Sequence, residues 1–182
     1  MNSDPAPLVR MRGIGKRFGA VEVLRRVDLD IHPGEVLVLA GENGAGKSTL
    51  IKILGGVHAD FEGTIEIAGL PARARTPSEA NALGVAVIYQ ELSLVPSMTV
   101  ADNIFLGRAL SRYGLVDDRA QQEQAQRLLD QLGIEIDVAR RVEDLPIAQQ
   151  QLTEIAKALA REAPVIVLDE PTSALDAPEV GK

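Results

Sequence analysis

The 182-residue chain contains no cysteine and no tryptophan. The lack of cysteine excludes a disulfide scaffold, a thiol nucleophile and a zinc site built on thiolates, and it fits a reducing compartment. The longest apolar runs, Val36–Ala40 and Val165–Leu168, have the length of strands, whereas a membrane-spanning helix needs about 20 residues. The start of the sequence, MNSDPAPLVR, lacks the parts of a signal peptide. We therefore expect a soluble product whose role at a membrane would depend on a partner.

The chain has little positive charge, since 19 basic residues face 26 acidic ones and the net charge is −7. This balance argues against broad nucleic-acid binding, which needs a basic face. Hydrophobic residues make up 46% and charged residues 25%, which is typical of globular proteins and excludes disorder, collagen and coiled coil. The length allows one or at most two domains.

Hydrophobic periodicity and turn residues predict alternating strands and helices. The predicted strands are Leu8–Ile14, Val21–Ile31, Val36–Ala40, Thr64–Ala68, Val85–Tyr89 and Val165–Leu168. The predicted helices are Lys47–Leu54, Ser78–Leu83, one that follows the N-cap Asp117 and stops before Gly133, and Gln149–Arg161. We expect Val36–Ala40 to be a buried parallel strand because it is continuously apolar. Together these elements predict an α/β fold.

The most specific motif is GENGAGKS at Gly41–Ser48, which matches the phosphate-loop pattern G-x-x-x-x-G-K-[ST]. It lies between a predicted strand and a predicted helix, which is the context that the motif requires. Glycines allow backbone amides to approach phosphates without an intervening Cβ, and the helix N-terminus favours anions. Lys47 offers a charge to the β- and γ-phosphates and Ser48 a hydroxyl to Mg²⁺. The alternative is a glycine-rich turn with a helix-capping serine.

Two acidic residues end the last apolar strand, in VIVLDE. Asp169 and Glu170 lie at its carboxyl end, the edge where open parallel sheets bind ligands. Asp169 can hold Mg²⁺ through water, and Glu170 can orient or deprotonate an attacking water. Alone this signal is weak, and the upstream phosphate loop strengthens it.

Other candidates leave alternatives open. Gln90 ends the strand in VIYQE, as a ligand or as an ordinary polar strand end. Phe18, in GKRFG, belongs either to the core or to a turn where it could stack on a purine. His32 and His58 are interpreted as isolated surface or loop residues.

In this order the motifs resemble the nucleotide-binding domain of an ABC transporter, a P-loop NTPase fold with an N-terminal antiparallel β part and a helical insert. Phe18 and the phosphate loop are followed by Gln90, by LPIAQQQ at Leu145–Gln151, by VIVLDE and by SALD at Ser173–Asp176. The phrasing is closest to the ATPases of bacterial ribose/galactose-type sugar importers. The resemblance implies one domain over 1–182, incomplete at its C-terminal end, with a helical subdomain over about 91–160.

The resemblance also implies roles for matching residues. Phe18 would stack on adenine, Gln90 would sense Mg²⁺ and the γ-phosphate, and Glu170 would be the catalytic glutamate. The nucleotide would be bound by Phe18, Gly41, Glu42, Asn43, Gly44, Ala45, Gly46, Lys47, Ser48 and Thr49. The signature segment, which completes the site of an opposing domain, would be Leu145, Pro146, Ile147, Ala148 and Gln149. Asp176 would lie at the interface between the two domains, and Mg²⁺ would be held by Ser48, Gln90 and Asp169.

The implied cofactors are ATP and Mg²⁺. The implied partners are membrane permease subunits, a second nucleotide-binding domain and, indirectly, a periplasmic or extracellular sugar-binding protein, without nucleic acid. The implied place is the inner face of the cell membrane.

Two departures from the family pattern stand out. The signature is usually similar to LSGGQ, but Pro146 replaces the serine and Ala148 the second glycine, and proline offers neither a hydroxyl nor a backbone donor. The family's switch histidine follows SALD, and neither His32 nor His58 can take that position. We also expect apolar surface to be left exposed at Val165–Leu168.

Three hypotheses follow. The chain is an importer ATPase, or an ATP-binding fragment with little turnover, or a non-transport ABC ATPase acting on DNA or ribosomes. The first hypothesis is preferred, the two departures support the second, and the sugar-type phrases and acidic charge count against the third.

Overall fold

A computed structural model describes residues 6–89, 91–112 and 114–169. These residues form two compact units that divide between Ala86 and Val87. None of the helices in the described ranges has both the length and the apolar character to cross a bilayer.

The strands are β1 (Val9–Phe18), β2 (Val21–Ile31), β3 (Glu62–Ile67), β4 (Leu70–Pro71), β5 (Val85–Ile88), β6 (Ser111–Arg112), β7 (Leu115–Val116) and β8 (Val165–Leu168). The helices are α1 (Lys47–Leu54), α2 (Pro77–Ala82), α3 (Val100–Ile104), α4 (Asp118–Gln131) and α5 (Ile147–Leu159), with a 3₁₀ turn at Val142–Asp144.

The first unit contains an antiparallel sheet in the order β2-β1-β3-β4. Its central strand β1 buries Val9, Met11 and Ile14 completely. The β1–β2 register pairs Met11 with Leu29 and Ile14 with Val27, with irregularities between these pairs. The predicted antiparallel β part is therefore confirmed.

Helix α1 has the predicted bounds. Leu50, Ile51, Ile53 and Leu54 are buried, as expected for an amphipathic helix that packs one face on a core. The helix ends at Gly55, whose N–H donates to the carbonyl of Ile51 at 2.8 Å. Glycines, Gly46 and Gly55, thus flank the helix at both ends.

The prediction of a buried strand at Val36–Ala40 is wrong. No strand is assigned there, and Val36 is 91% and Val38 78% exposed. A β-strand needs a neighbour for its backbone hydrogen bonds, and none of the described strands pairs with this run. The apolar run shows that the segment is hydrophobic, but it does not show whether a neighbouring strand is available for pairing.

The second unit packs α3, α4 and α5 around a common core. Val100, Ile104, Leu129, Val142 and Ala156 are completely or almost completely buried in it. Helix α4 starts as predicted, because the Asp117 side chain accepts a hydrogen bond from the Ala120 N–H at 3.0 Å. Helix α5 begins and ends two residues earlier than predicted. These helices lie within the expected insert, and the domain bounds of 1–182 and about 91–160 stay predictions.

Strand β8 is present as predicted and is paired with β5. The N–H of Asp169 donates to the carbonyl of Ile88 at 2.9 Å and continues this pairing. Val165 is buried, but Ile166 and Leu168 are exposed. Apolar surface is thus exposed at this strand, in agreement with expectation.

The close approach of Gly63 to the backbone of β1 can be tested by comparing Gly63 with Gly69, because both have positive φ but only Gly63 is crowded. Gly63 has φ +96°, and a Cβ there would meet the Arg12 carbonyl and lie 2.7 Å from the Gly13 backbone. Gly69 has φ +77° with open space around it. We expect Gly69→Ala to cost about 1 kcal/mol through backbone strain and Gly63→Ala to cost about 2–4 kcal/mol, because β1 must also move. Urea unfolding of the 182-residue chain measures both, and equal losses would contradict the close approach.

Candidate functional site

The phosphate loop enters α1 through Gly46, which is buried and has φ +88°. A Cβ at this position would lie 2.7 Å from Leu24 Cδ2 and 3.0 Å from the Val23 carbonyl oxygen. Positive φ and this close approach to β2 both favour glycine. The fold therefore requires the second glycine of the motif independently of any ligand.

The loop leads directly to the positive end of a helix. Leu50 N–H donates to the Gly46 carbonyl at 2.9 Å, the first hydrogen bond of the helix. Amides of a first helical turn have no acceptor within the helix, and the helix dipole makes this end positive. No acidic residue lies in the first turn of α1. The arrangement suits an anion.

Lys47 brings a cation back over the loop. Its Nζ donates to the carbonyl oxygens of Gly41 at 2.6 Å and Glu42 at 2.9 Å. The loop is itself tightened by a hydrogen bond from Ala45 N–H to the Glu42 carbonyl at 3.2 Å. The ammonium group is half-buried and bonded to neutral acceptors, so a phosphate oxygen would be a stronger acceptor for it.

The β1–β2 hairpin connects this loop to Phe18. Leu24, which packs on Gly46, is the register partner of Lys16, and Phe18 pairs with Val21 at the hairpin end. Phe18 thus lies two residues, or about 7 Å, along β1 from the pair that contacts the loop. The β1–β2 hairpin therefore carries Phe18, the residue predicted to stack on the base, and also contacts the phosphate loop.

The Phe18 ring is 45% exposed and has two specific neighbours. The His58 ring lies edge-on to it, with centroids 5.3 Å apart and an interplanar angle of 70°. Lys16 Nζ lies 5.1 Å from the ring centroid and donates to the carbonyl oxygen of Asp60. Phe18 is therefore a partly exposed ring in a defined setting rather than a core residue.

His58 lies in a loop, as predicted, but it is not isolated. Burial lowers the pKa of its imidazole, and the positive charges of Lys16 and Lys52 lower it further. The other histidine, His32, also lies in a loop and its N–H donates to Glu35 Oε2 at 2.7 Å.

In the second unit, Asp169 is buried directly after β8. Tyr89 follows β5, and burial together with the Asp169 charge raises the pKa of its phenol. The Tyr89 hydroxyl is buried without a hydrogen-bond partner among the described residues. The ends of these two strands thus place an acidic group near a phenol.

The predicted signature segment forms the start of α5. Leu145 is buried, and its carbonyl accepts from Gln150 Nε2 at 2.9 Å. Pro146 is the N-cap and supplies no side-chain cap, while Ile147 and Ala148 are exposed. The amide oxygen of Gln149 is buried without a partner among the described residues. The segment presents an exposed helix N-terminus, although proline replaces the expected hydroxyl.

A buried polar cluster that the sequence analysis missed ties the segment after position 90 to α5. Lys157 Nζ donates to the Ser93 hydroxyl at 2.8 Å and carbonyl at 2.9 Å. The Ser93 hydroxyl donates to Glu154 Oε1 at 2.6 Å, and Lys157 and Glu154 pair at 3.6 Å. The available signal was that Glu154 and Lys157 interrupt the apolar face of α5.

Three predicted site residues, Gln90, Glu170 and Asp176, lie outside the described residues, and their roles stay predictions. Among the residues that are described, no three acidic, histidine or cysteine side chains cluster to hold a metal. Ser48 in the first unit and Asp169 in the second are the predicted Mg²⁺ ligands within these ranges.

Three features indicate the class of protein to which the chain belongs. They are the phosphate loop at the start of α1, the antiparallel sheet of the first unit and the helical core of the second unit. A family model described as ABC transporter matches residues 24–173, and the chain belongs to this family.

Among the most similar relatives are ribose import ATP-binding proteins. The chain is 53% identical over 174 residues to ribose import ATP-binding protein RbsA 1 of Rubrobacter xylanophilus, and these residues cover 96% of the chain and 35% of the relative. It is 47% identical over 177 residues to ribose import ATP-binding protein RbsA of Corynebacterium glutamicum, covering 97% and 34%. The chain thus spans about a third of the length of these relatives.

A solved structure supports the fold. The crystal structure of the ADP conformation of an ATP-binding cassette of an ABC transporter is similar with a TM-score of 0.76 at 26% identity. The match covers 92% of this chain and 70% of that one.

The buried cluster gives a prediction for stability. Lys157→Ala leaves the Glu154 carboxylate buried without its counter-charge, so we expect a loss of about 3 kcal/mol in the free energy of unfolding. Arg119→Ala removes an exposed partner of an i,i+4 pair with Glu123 and should leave the urea midpoint unchanged. Equal midpoints for the two variants would show that the Lys157 contacts do not hold the fold.

Proposed function

We propose that this chain binds Mg²⁺-ATP at the phosphate loop and acts as an ATPase that drives sugar import through an ABC transporter. The observation that supports this proposal most is the loop itself, where buried Gly46 with positive φ starts α1 and the Lys47 ammonium lies against the loop carbonyls of Gly41 and Glu42. The similarity of the chain to two ribose import ATP-binding proteins supports a sugar as the transported substrate.

The residues of the loop fit a nucleotide triphosphate. First-turn amides of α1 would donate to phosphate oxygens, and Lys47 would exchange its carbonyl acceptors for the β- and γ-phosphates. Ser48 would offer its hydroxyl to Mg²⁺, which prefers oxygen ligands and is usually shared between a few protein groups and the phosphates.

The remaining roles follow from the family. Phe18 would stack on adenine, Asp169 would assist Mg²⁺ through water, and Glu170 would activate the attacking water. When bound, Mg²⁺ would neutralise charge on the transferred phosphoryl group. Leu145–Gln149 would face the nucleotide of a second such domain, with Asp176 at the interface. The permease and the sugar-binding protein would supply the transport path and the specificity, with this chain at the inner face of the membrane.

A second candidate is nucleotide binding with little turnover. It is favoured by Pro146, which gives the start of α5 no side-chain cap and no hydroxyl. It is also favoured by the segment Val36–Ala40 before the loop, which pairs with none of the described strands. Binding and hydrolysis must therefore be measured separately.

Replacing the loop cation tests binding. Lys47→Ala should weaken ATP on the order of 100-fold or more, because each hydrogen bond to a charged group contributes about 1.5–3 kcal/mol. Lys52→Ala removes the same charge from the last turn of α1 and should change the affinity by less than about threefold. Calorimetric titration measures both, and unchanged ATP affinity in the Lys47 variant would remove the phosphate-loop assignment.

Replacing the proposed general base tests hydrolysis. Glu170→Gln should keep ATP affinity within about twofold and lower the rate of phosphate release by about 10²- to 10⁴-fold. If the unmodified chain binds ATP but releases no phosphate, the second candidate describes it. If phosphate release is equal in both proteins, Glu170 is not the base.

A further inference from the structure

We infer that His58 is a positioning residue of the base subsite, where it fixes the plane of the Phe18 ring so that the exposed face of this ring receives a purine. The inference rests on the proposed function, because it needs a nucleotide whose phosphates occupy the loop.

The geometry gives His58 this role. Phe18 is the last residue of β1, at the turn of the β1–β2 hairpin, and nearly half of its surface is exposed. The contact with His58 is edge-on at 5.3 Å and 70°, which is the arrangement that aromatic pairs prefer. An edge-on neighbour restricts rotation of the ring, and Lys16 Nζ lies over the ring 5.1 Å from its centroid. A purine would therefore stack on the part of the ring that these two groups leave exposed.

His58 is in turn held by the phosphate-binding helix. The backbone N–H groups of Val57 and His58 donate to the Lys52 carbonyl at 2.8 and 3.1 Å. Helix α1 therefore begins at the phosphate loop and, one turn beyond its end, carries the side chain that orients Phe18. One rigid element sets the distance between the phosphate end and the base end of a nucleotide.

The charged groups around His58 favour its neutral form. Lys16 on β1 and Lys52 on α1 repel an imidazolium, and burial disfavours it as well, so its pKa is lowered. Asp60, the acidic group next to this cluster, is 3.4 Å from Lys16 Nζ and is engaged with that cation. At neutral pH the ring thus contacts Phe18 uncharged. Protonation below its ordinary pKa range adds a third positive charge beside Lys16 and Lys52, which both repel the imidazolium.

The test compares ATP with inorganic tripolyphosphate, which has the phosphates but no base. His58→Ala should weaken ATP about 2- to 12-fold, the range of one aromatic pair, and change tripolyphosphate by less than twofold. His58→Leu, which keeps the volume without an aromatic edge, should do the same if the alanine variant folds poorly. His58→Phe should restore ATP affinity. His32→Ala is the matched control and should change neither ligand.

A double-mutant cycle shows whether His58 acts through Phe18. In a Phe18→Ala background, His58→Ala should add no further loss of ATP affinity. The ATP affinity of the unmodified chain relative to tripolyphosphate should also fall as the pH drops below the ordinary range of a histidine pKa, and this fall should disappear in His58→Phe. Equal losses for the two ligands, or losses that add to that of Phe18→Ala, would overturn the inference.

Failure of the inference is distinguishable from failure of the proposed function. If the unmodified chain binds neither ATP nor tripolyphosphate, both are wrong. If it binds both ligands and the His58 variants match it, the phosphate loop stands and His58 has no positioning role.

Discussion

The close approach of Gly46 to β2 is the constraint on which the candidate site depends. With no Cβ, the backbone at this residue takes φ +88° and packs against Leu24 and Val23. This contact fixes where α1 begins, and the position of Lys47 follows. A side chain here would push the loop away from the hairpin, so the phosphate site and the first sheet are one structure.

The same helix links the two ends of the proposed nucleotide. Its N-terminus offers amides and the Lys47 ammonium, and the residues after its C-terminus bring His58 to Phe18. In the second unit a comparable tie runs from Ser93 through Glu154 and Lys157 on α5. In both units a nonlocal contact holds a loop against a helix that carries predicted site residues.

Sequence reasoning succeeded where local chemistry decides. Helix α1 is bounded by glycines at both ends, and α4 is started by the Asp117 cap, so their predicted bounds or starts are right. It failed at Val36–Ala40, because an apolar run forms a strand only when another strand is beside it. The phosphate-loop pattern could be recognised in the sequence because its residue types are those that the predicted chemistry requires. The contact of His58 with Phe18 depends on distant parts of the chain, and no local pattern marks it. Glu154 and Lys157 do interrupt the apolar face of α5, but their distant partner Ser93 cannot be inferred from that pattern.

The most direct test of the central claim follows the backbone amides of the 182-residue chain by ¹⁵N nuclear magnetic resonance during titration with Mg²⁺-ATP. The account predicts large, saturable shifts at Gly44–Thr49 and at Phe18 and His58, with tripolyphosphate reproducing the shifts of the loop alone. Saturable shifts elsewhere, with the loop amides unmoved, would contradict it.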